Sequence, residues 1–418
     1  MKKILLTLGI TLFCSAASAQ NSAIYKAQAL DQKNDYQGAI SVLEEAVANP
    51  KTTKLAEMYR MLGEDYAKLF NPQLLNAANS MPFDTTLFVT YLDKMIDNYT
   101  KSHNADFTPD KKGNVKPRFE ILNKLRMLSF VDYYNYAAMF LYQNKNIDGA
   151  VTYFEKYLDY PYNPSFTEAE RDSILTVKKT AYSQTALNLA SLNYQKENWE
   201  KAIKYADIAL KDTLGTRDLY VIKSQSYASM GDSASWLNTL IDAVKRTENP
   251  GFIQNLLYYY VSHNDVAGAE KMADELVATA PNSRASWYMK GCVDLNLKKD
   301  YPAARENFQK SLSIDPDYLE ANINCAYTYV NQVISERVAG KFKILGSGKN
   351  VTKAQMPTYQ KELAYAKSFY ENAKPYMEKA RSLAPDQPRL WAYALQMIYE
   401  NLQMKTEKAE IDAIIDGM

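Results

Sequence analysis

The chain has 418 residues, with 49 lysines and arginines against 48 aspartates and glutamates, and 47% of it is hydrophobic. Charges of both signs spread along a near-neutral chain exclude the basic footprint of a nucleic-acid binder, and the apolar content excludes a disordered chain. Only two histidines, His103 and His263, are present, far apart in sequence, which leaves almost no raw material for a histidine metal site or a catalytic triad.

Residues 1–19 read as a secretory signal. Lys2 and Lys3 precede a short apolar run from Ile4 to Phe13, and Ala17-Ser18-Ala19 is a small-residue cleavage site, so the mature chain is expected to begin at Gln20. The run is too short to anchor in a bilayer. Cys14 follows Phe13 rather than a small residue, so it reads as lost with the signal and not as a lipidation site. No later segment is apolar enough to span a membrane. These features imply an exported, periplasmic protein, joined to the outer membrane, if at all, through a partner.

The rest of the chain, residues 20–418, reads as helix pairs. Ala39, Leu43, Ala46 and Pro50 close a first pair, and Tyr59, Leu62, Gly63 and Tyr66 open a second. Residues 71–117 then break the pattern. Within them 71–83 is expected to be an elongated turn, 85–103 an amphipathic helix with Leu87, Leu92, Ile96 and Tyr99 on one face, and 104–117 a solvated loop. Ala138, Ala150 and Phe154 mark a third pair, ending at Pro161 and Pro164. Ala190, Trp199, Ala202, Ala206 and Ala209 mark a fourth, Ser224, Tyr227, Leu240 and Ala243 a fifth, and Tyr260, Ala269, Ala273 and Pro281 a sixth.

The clearest pair runs from Arg284 to Pro316. Trp287 and Gly291 lie one helical turn apart, Ala304, Phe308 and Ser311 follow at helical spacing, and Pro316 ends the second helix. Gly291 is expected where the two helices approach closely, so alanine should be tolerated there and leucine should not. One extra residue falls in the turn near Lys298 to Tyr301. Residues 338–357 form a second break, punctuated by Gly340, Gly346 and Gly348 and basic through Lys341, Lys343, Lys349 and Lys353. It is expected to be a hairpin loop between long helices over 319–337 and 358–383, a basic finger for a partner or for acidic lipid headgroups. Gly346-Ser347-Gly348-Lys349 is no phosphate loop, because no strand precedes it and no Ser or Thr follows the lysine. Ala373, Met377, Ala380 and Pro385 close an eighth pair, and Trp391 opens a partial last one.

One phase runs through this list. Ala190, Ser224, Leu257, Gly291 and Ala326 are separated by 34, 33, 34 and 35 residues. A helix–turn–helix unit of that period resembles the tetratricopeptide repeat (TPR) family over most of the chain, and the signal and its Ala-Ser-Ala-Gln junction resemble those of exported Bacteroidetes proteins. The resemblance implies an all-α solenoid of about eight or nine helix hairpins in a right-handed superhelix, whose concave face binds a peptide or protein.

Stepping from that phase to the inward positions gives Asn135, Tyr142, Tyr194, Gln225, Gln254, Tyr258, Tyr288 and Tyr327 as the candidate partner-binding face. Tyr and Gln side chains suit the backbone amides of an extended peptide, or sugar rings stacked on aromatic faces. Cys292 and Cys325 sit in first helices of successive units. Packed helix axes lie about 8–10 Å apart, too far for a ready disulfide, so both are expected to be buried thiols. No Gly-x-Ser-x-Gly elbow, HExxH helix or nucleotide fingerprint occurs, and no enzyme activity, metal or cofactor is expected. The leading reading is therefore a non-enzymatic scaffold. A glycan-binding protein of a polysaccharide-uptake system and a structural subunit of an envelope assembly are the alternatives. Thr85, Ser173, Thr213 and Ser233 each follow an aspartate in the Asp-Ser/Thr pattern that Bacteroidetes O-glycosylate, although the same pairs cap helices.

Overall fold

The structure, a computed structural model, describes residues 22–110, 112–212, 216–345 and 350–418. The signal with its cleavage site, Cys14, Lys111, Thr213 and Gly346 to Lys349 lie outside them. Every regular element among the described residues is helical. The chain divides into two compact units between residues 215 and 216.

The first unit contains α1 (22–31), α2 (Tyr36–Ala48), α3 (Leu55–Ala78), α4 (Thr85–Asp106), α5 (Glu120–Phe130), α6 (Tyr133–Gln143), α7 (Ile147–Asp159), α8 (Glu168–Val177), α9 (Lys179–Gln195) and α10 (Trp199–Ala209). Helices α3/α4, α6/α7 and α9/α10 pack as pairs. The second unit contains α11 (Thr216–Met230), α12 (Ser233–Thr247), α13 (Pro250–Ser262), α14 (Val266–Thr279), α15 (Arg284–Val293), α16 (Tyr301–Ile314), α17 (Leu319–Val338), α18 (Met356–Leu383), α19 (Ala392–Leu402) and α20 (Lys405–Asp416). Here successive helices pair throughout, and the last pair is a full hairpin rather than a partial one.

One turn builds the hairpins. Asn34, Lys145, Glu197, Gly231, Asn264, Lys299 and Gln403 each adopt a positive φ between their two helices. The left-handed residue ends the first helix, and the next N–H reaches back to a carbonyl five residues earlier, as in Asn146 to Leu141 and Asp232 to Tyr227. The donor residue is usually Asp or Asn, and its side chain then caps the second helix. Asp35 accepts from the Gly38 N–H, Asn146 from Gly149, Asp265 from Gly268 and Asp300 from Ala303. The extra residue near Lys298 is absorbed by a π-helical turn over Asp294–Lys298, so the Asp300 N–H reaches six residues back, to Asp294.

Small residues set the helix separation. A Cβ on Gly291 would lie 2.6 Å from the ring of Phe308 on the antiparallel partner helix, and one on Gly63 would lie 2.8 Å from the Tyr99 ring. Both rings are fully buried, so packed groups must shift to admit a Cβ. The expected tolerance of alanine at Gly291 is therefore corrected: a single methyl already overpacks the site. Ala190, Ser224 and Ala326 are buried at the same phase, whereas Leu257 is only half-buried.

Other expectations shift as well. Residues 71–78 are not a turn but continue α3 through Pro72, held by Phe70, whose ring lies 4.7 Å from Phe88 on α4. Leu87, assigned to the apolar face of α4, is exposed. The loop after α4 is tied down, because the Asp106 carboxylate accepts the Arg118 and Phe119 N–H groups at 2.7 and 2.6 Å. Helices α5 and α8 are additions to the repeat, and Lys124 of α5 bonds Glu170 of α8 at 3.0 Å. Cys292 and Cys325 are buried free thiols, and burial pushes each up to about 12.

Two stability predictions follow from this packing. Gly291→Ala should cost about 1–3 kcal/mol, read as a lower urea midpoint; an unchanged midpoint would show that Phe308 moves freely. Asp65 on α3 is buried, and burial is the main cause that its carboxyl is pushed up to about 7. The Lys68 ammonium at 3.1 Å opposes that rise, and Asp31, 3.0 Å from the same ammonium, adds to it. A folded-state pKa above the unfolded value gives stability that is fully present below about pH 4 and lost as pH rises through about 7. Replacing Asp65 by Asn should flatten that loss, seen as urea midpoints that converge between about pH 5 and pH 8. Midpoints that fall as steeply in the variant would assign the pH dependence to other groups.

Candidate functional site

The eight inward positions do not form one uniform face. Asn135 on α6 accepts a hydrogen bond from the Thr185 hydroxyl of α9 at 3.0 Å and so joins two hairpins. Tyr142 is exposed, while Tyr194 is half-buried with its ring 5.5 Å from Trp199. Trp199 is itself only half-buried. In the second unit Gln225, Gln254 and Tyr258 are exposed, Tyr258 by 75%, and the last two lie one turn apart on α13. Tyr288 is a correction. It is 7% exposed, its hydroxyl accepts from Asn324 at 2.8 Å, and its ring sits between Phe308 and Tyr318. Tyr327 is half-buried against the cluster around Ala326 and Ala373.

The tyrosine surplus has a structural use that the sequence did not suggest. Phenol hydroxyls repeatedly donate to a carboxylate on another helix: Tyr66 to Glu44 at 2.8 Å, Tyr153 to Asp93 at 2.6 Å, Tyr205 to Glu155 at 2.7 Å, Tyr399 to Glu378 at 2.8 Å, and Tyr220 to Asp242. Burial first, and the carboxylate next, push each of the phenols of Tyr66, Tyr153, Tyr205 and Tyr399 well above its ordinary value, so they remain protonated donors. The buried ring carries the apolar contact and its polar tip finds a partner.

The glycosylation candidates are placed as follows. Thr85 begins α4 directly after its cap Asp84 and accepts a hydrogen bond from Asn144, and Ser233 begins α12 after its cap Asp232. In both cases the aspartate is engaged in capping. Ser173 is exposed inside α8 rather than at a helix start.

A shallow, open cleft of about 650 Å³ lies between α4, α6 and the end of α7 in the first unit. Helical spacing brings Asp93, Ile96, Asp97 and Thr100 onto one face of α4 as its floor. Tyr134 comes from α6, Lys156 and Asp159 from α7, and Tyr160, Tyr162 and Asn163 from the short 3-10 turn and loop that follow. Asn163 bonds Thr100 at 3.2 Å across the cleft. The Lys156 ammonium is committed to Asp93 at 2.6 Å and lies over the Tyr153 ring at 4.3 Å. Asp97 pairs with Lys101 at the exposed rim, a contact worth little in water. Asp159 is exposed and has no ion-pair partner among the described residues. The cleft thus presents the Asp159 carboxylate, with the rim-exposed Asp97 nearby, beside the exposed Tyr162 ring, a combination that receives a cationic side chain. None of the eight inward positions lines it. The signal for it was the Asp93, Asp97 and Thr100 spacing, which reads as a solvated helix face until α6 and α7 cover its sides.

No family model matches the sequence, and no curated protein matches it. Among solved structures, the chain is similar to a TPR repeats protein from Bacteroides fragilis, at 16% identity, covering 68% of this chain and 98% of that one with a TM-score of 0.33. It is also similar to the C-terminal part of a TPR repeat-containing protein from Cytophaga hutchinsonii, at 16% identity over 67% of this chain and 92% of that one, TM-score 0.35. Both are helical repeat proteins.

The division of tyrosines into fasteners and free rings is testable. Tyr153→Phe should cost about 1–2 kcal/mol, because a hydrogen bond to an ionised carboxylate is lost from a partly buried site. Tyr162→Phe, at a ring 62% exposed, should leave the urea midpoint unchanged. Equal effects from the two substitutions would remove the distinction.

Proposed function

We propose that this protein is an exported, non-catalytic scaffold of helix hairpins that holds a protein partner, with the cleft of the first unit seating a basic segment of that partner. The carrying observation is the cleft itself, where Asp97 and Asp159 flank tyrosine rings while its one lysine is already neutralised by Asp93. A hairpin array offers extended surface rather than an enclosed reaction chamber. Lys2, Lys3 and the Ala17-Ser18-Ala19 junction support export to the periplasm. Among the described residues no helix is long and apolar enough to cross a membrane, and no group of His, Cys, Asp and Glu is placed to hold a metal ion. The glycan reading stays second, favoured by the exposed Tyr162 ring beside carboxylates, an arrangement that also stacks and hydrogen-bonds a sugar.

A peptide array and a glycan array probed with the purified protein separate the two. Lysine- and arginine-containing peptides should be retained, and the double variant Asp97→Lys/Asp159→Lys should bind them at least about tenfold more weakly without a change in thermal midpoint. Retention of neutral glycans with no peptide preference would move the assignment to the second reading. A peptide profile that ignores the double variant would remove the cleft as the site.

A further inference from the structure

The hairpin of α17 and α18 is longer than its neighbours. Its helices have 20 and 28 residues, against 10 and 14 for α15 and α16. At about 1.5 Å per residue, α18 is roughly 20 Å longer than α16. Fully buried residues on α18 begin only at Ala366, so the ten residues 356–365 are exposed or at most partly covered by the returning loop, and on α17 they end at Glu336. The excess length is a projecting end, with residues 352–358 all exposed.

The chemistry of that end is one-sided. Between residues 331 and 370 the chain has two carboxylates, Glu336 and Glu362, against seven lysines and arginines. Both carboxylates are spent on the fold. Glu336 is buried and bonds Lys341 at 3.0 Å and the Tyr365 hydroxyl at 2.9 Å. Glu362 accepts the backbone N–H groups of Lys343, Ile344 and Leu345 at 2.7, 2.9 and 2.8 Å, which folds the loop back onto α18. Lys341 is the only one of the cations committed to these acids through its side chain among the described residues. Arg337, Lys343, Lys353 and Lys361 are exposed, with no ion-pair partner among the described residues. Among these cations stand exposed apolar side chains: Val338 at 83%, the highest exposure of any large hydrophobic among the described residues, Ile334 one turn before it, and Met356 at the start of α18.

We infer that this projecting end is a docking surface for an anionic lipid bilayer. A projecting end encloses no ligand, but it can rest on a plane. Cations near an anionic bilayer contribute about 1 kcal/mol each, and exposed aliphatic side chains between them enter the headgroup boundary. A nucleic acid would use the same cations but would leave the exposed Val338, Ile334 and Met356 uncovered.

The test is co-sedimentation of the mature protein, purified after export, with phosphatidylcholine vesicles that contain or lack phosphatidylglycerol. Binding should require phosphatidylglycerol and weaken with salt. Lys343→Gln/Lys353→Gln should reduce it about fivefold per cation removed. Val338→Ser/Met356→Ser, which leaves the charge intact, should also reduce it severalfold. Both pairs lie at exposed positions and should leave the thermal midpoint unchanged. Absence of binding to phosphatidylglycerol vesicles overturns the inference. So does binding that the apolar pair does not alter while single-stranded DNA competes for the protein, since that pattern belongs to a general anion patch. The cleft variants Asp97→Lys/Asp159→Lys do not touch this end, so its outcome stands apart from that of the peptide experiment.

Discussion

The fold depends on reversing the chain within a few residues without leaving helix-end groups unpaired. Each helix end exposes carbonyls and each start exposes N–H groups, and a sharp turn offers little water to satisfy them. A single left-handed residue solves the first half, because it swings the following N–H back onto a carbonyl five residues earlier. The Asp or Asn that carries that N–H solves the second half with its side chain. At Lys145, Glu197 and Lys299 the left-handed position is held by residues that have a Cβ, at a conformational cost of about 1 kcal/mol each, offset by the bonds the turn completes. With the turn set, the two helices are antiparallel neighbours, and the small residues at Gly63 and Gly291 determine how closely they approach.

Close approach alone gives a non-directional contact. The phenol-to-carboxylate bonds supply direction, since Tyr153 and Asp93, or Tyr205 and Glu155, meet in only one register of their helices. Several carboxylates that look like solvated surface in the sequence are acceptors for a tyrosine on another helix. Negative charge that this scheme leaves over, as at Asp159, therefore marks a place where packing is not the reason for the residue.

The hairpins were legible in the sequence because their physics is local and periodic. A small residue, an aromatic and a helix-ending turn recur at one spacing, and each has its own steric cause. What was not legible depends on contacts between hairpins. Tyr288 lies one 34-residue period after exposed Gln254, yet Asn324 and Tyr318 of the following hairpin cover it. Residues 71–78 contain Pro72, which locally argues for a break, but burial of Phe70 against α4 carries the helix past it. Helix α5 was hidden because Ile121, Leu122 and Leu125 are exposed, so its apolar residues do not mark its buried side. The turn residues were visible as letters, but their left-handed conformation was not, since Lys and Glu carry no preference for it.

The candidate surfaces lie where the repeat is broken, and the reason is geometric. In an uninterrupted array every hairpin is covered by the next, and the residues at a given phase do the same packing work. Between α7 and α9 the chain instead detours through the 3-10 turn Tyr160–Tyr162 and α8, which places Tyr160, Tyr162 and Asn163 at the mouth of the cleft. Capping of α8 by Thr167 and Glu170, and the bond from Glu170 to Lys124 of α5, hold that detour in place. The second break works in the same way, with Glu362 gathering three loop N–H groups so that the α17–α18 end projects in a defined shape. Each interruption is fastened by a carboxylate that the regular repeat does not need. A solenoid gains room for new chemistry where its period fails, and the carboxylates of Glu170 and Glu362 fix the described residues around each failure.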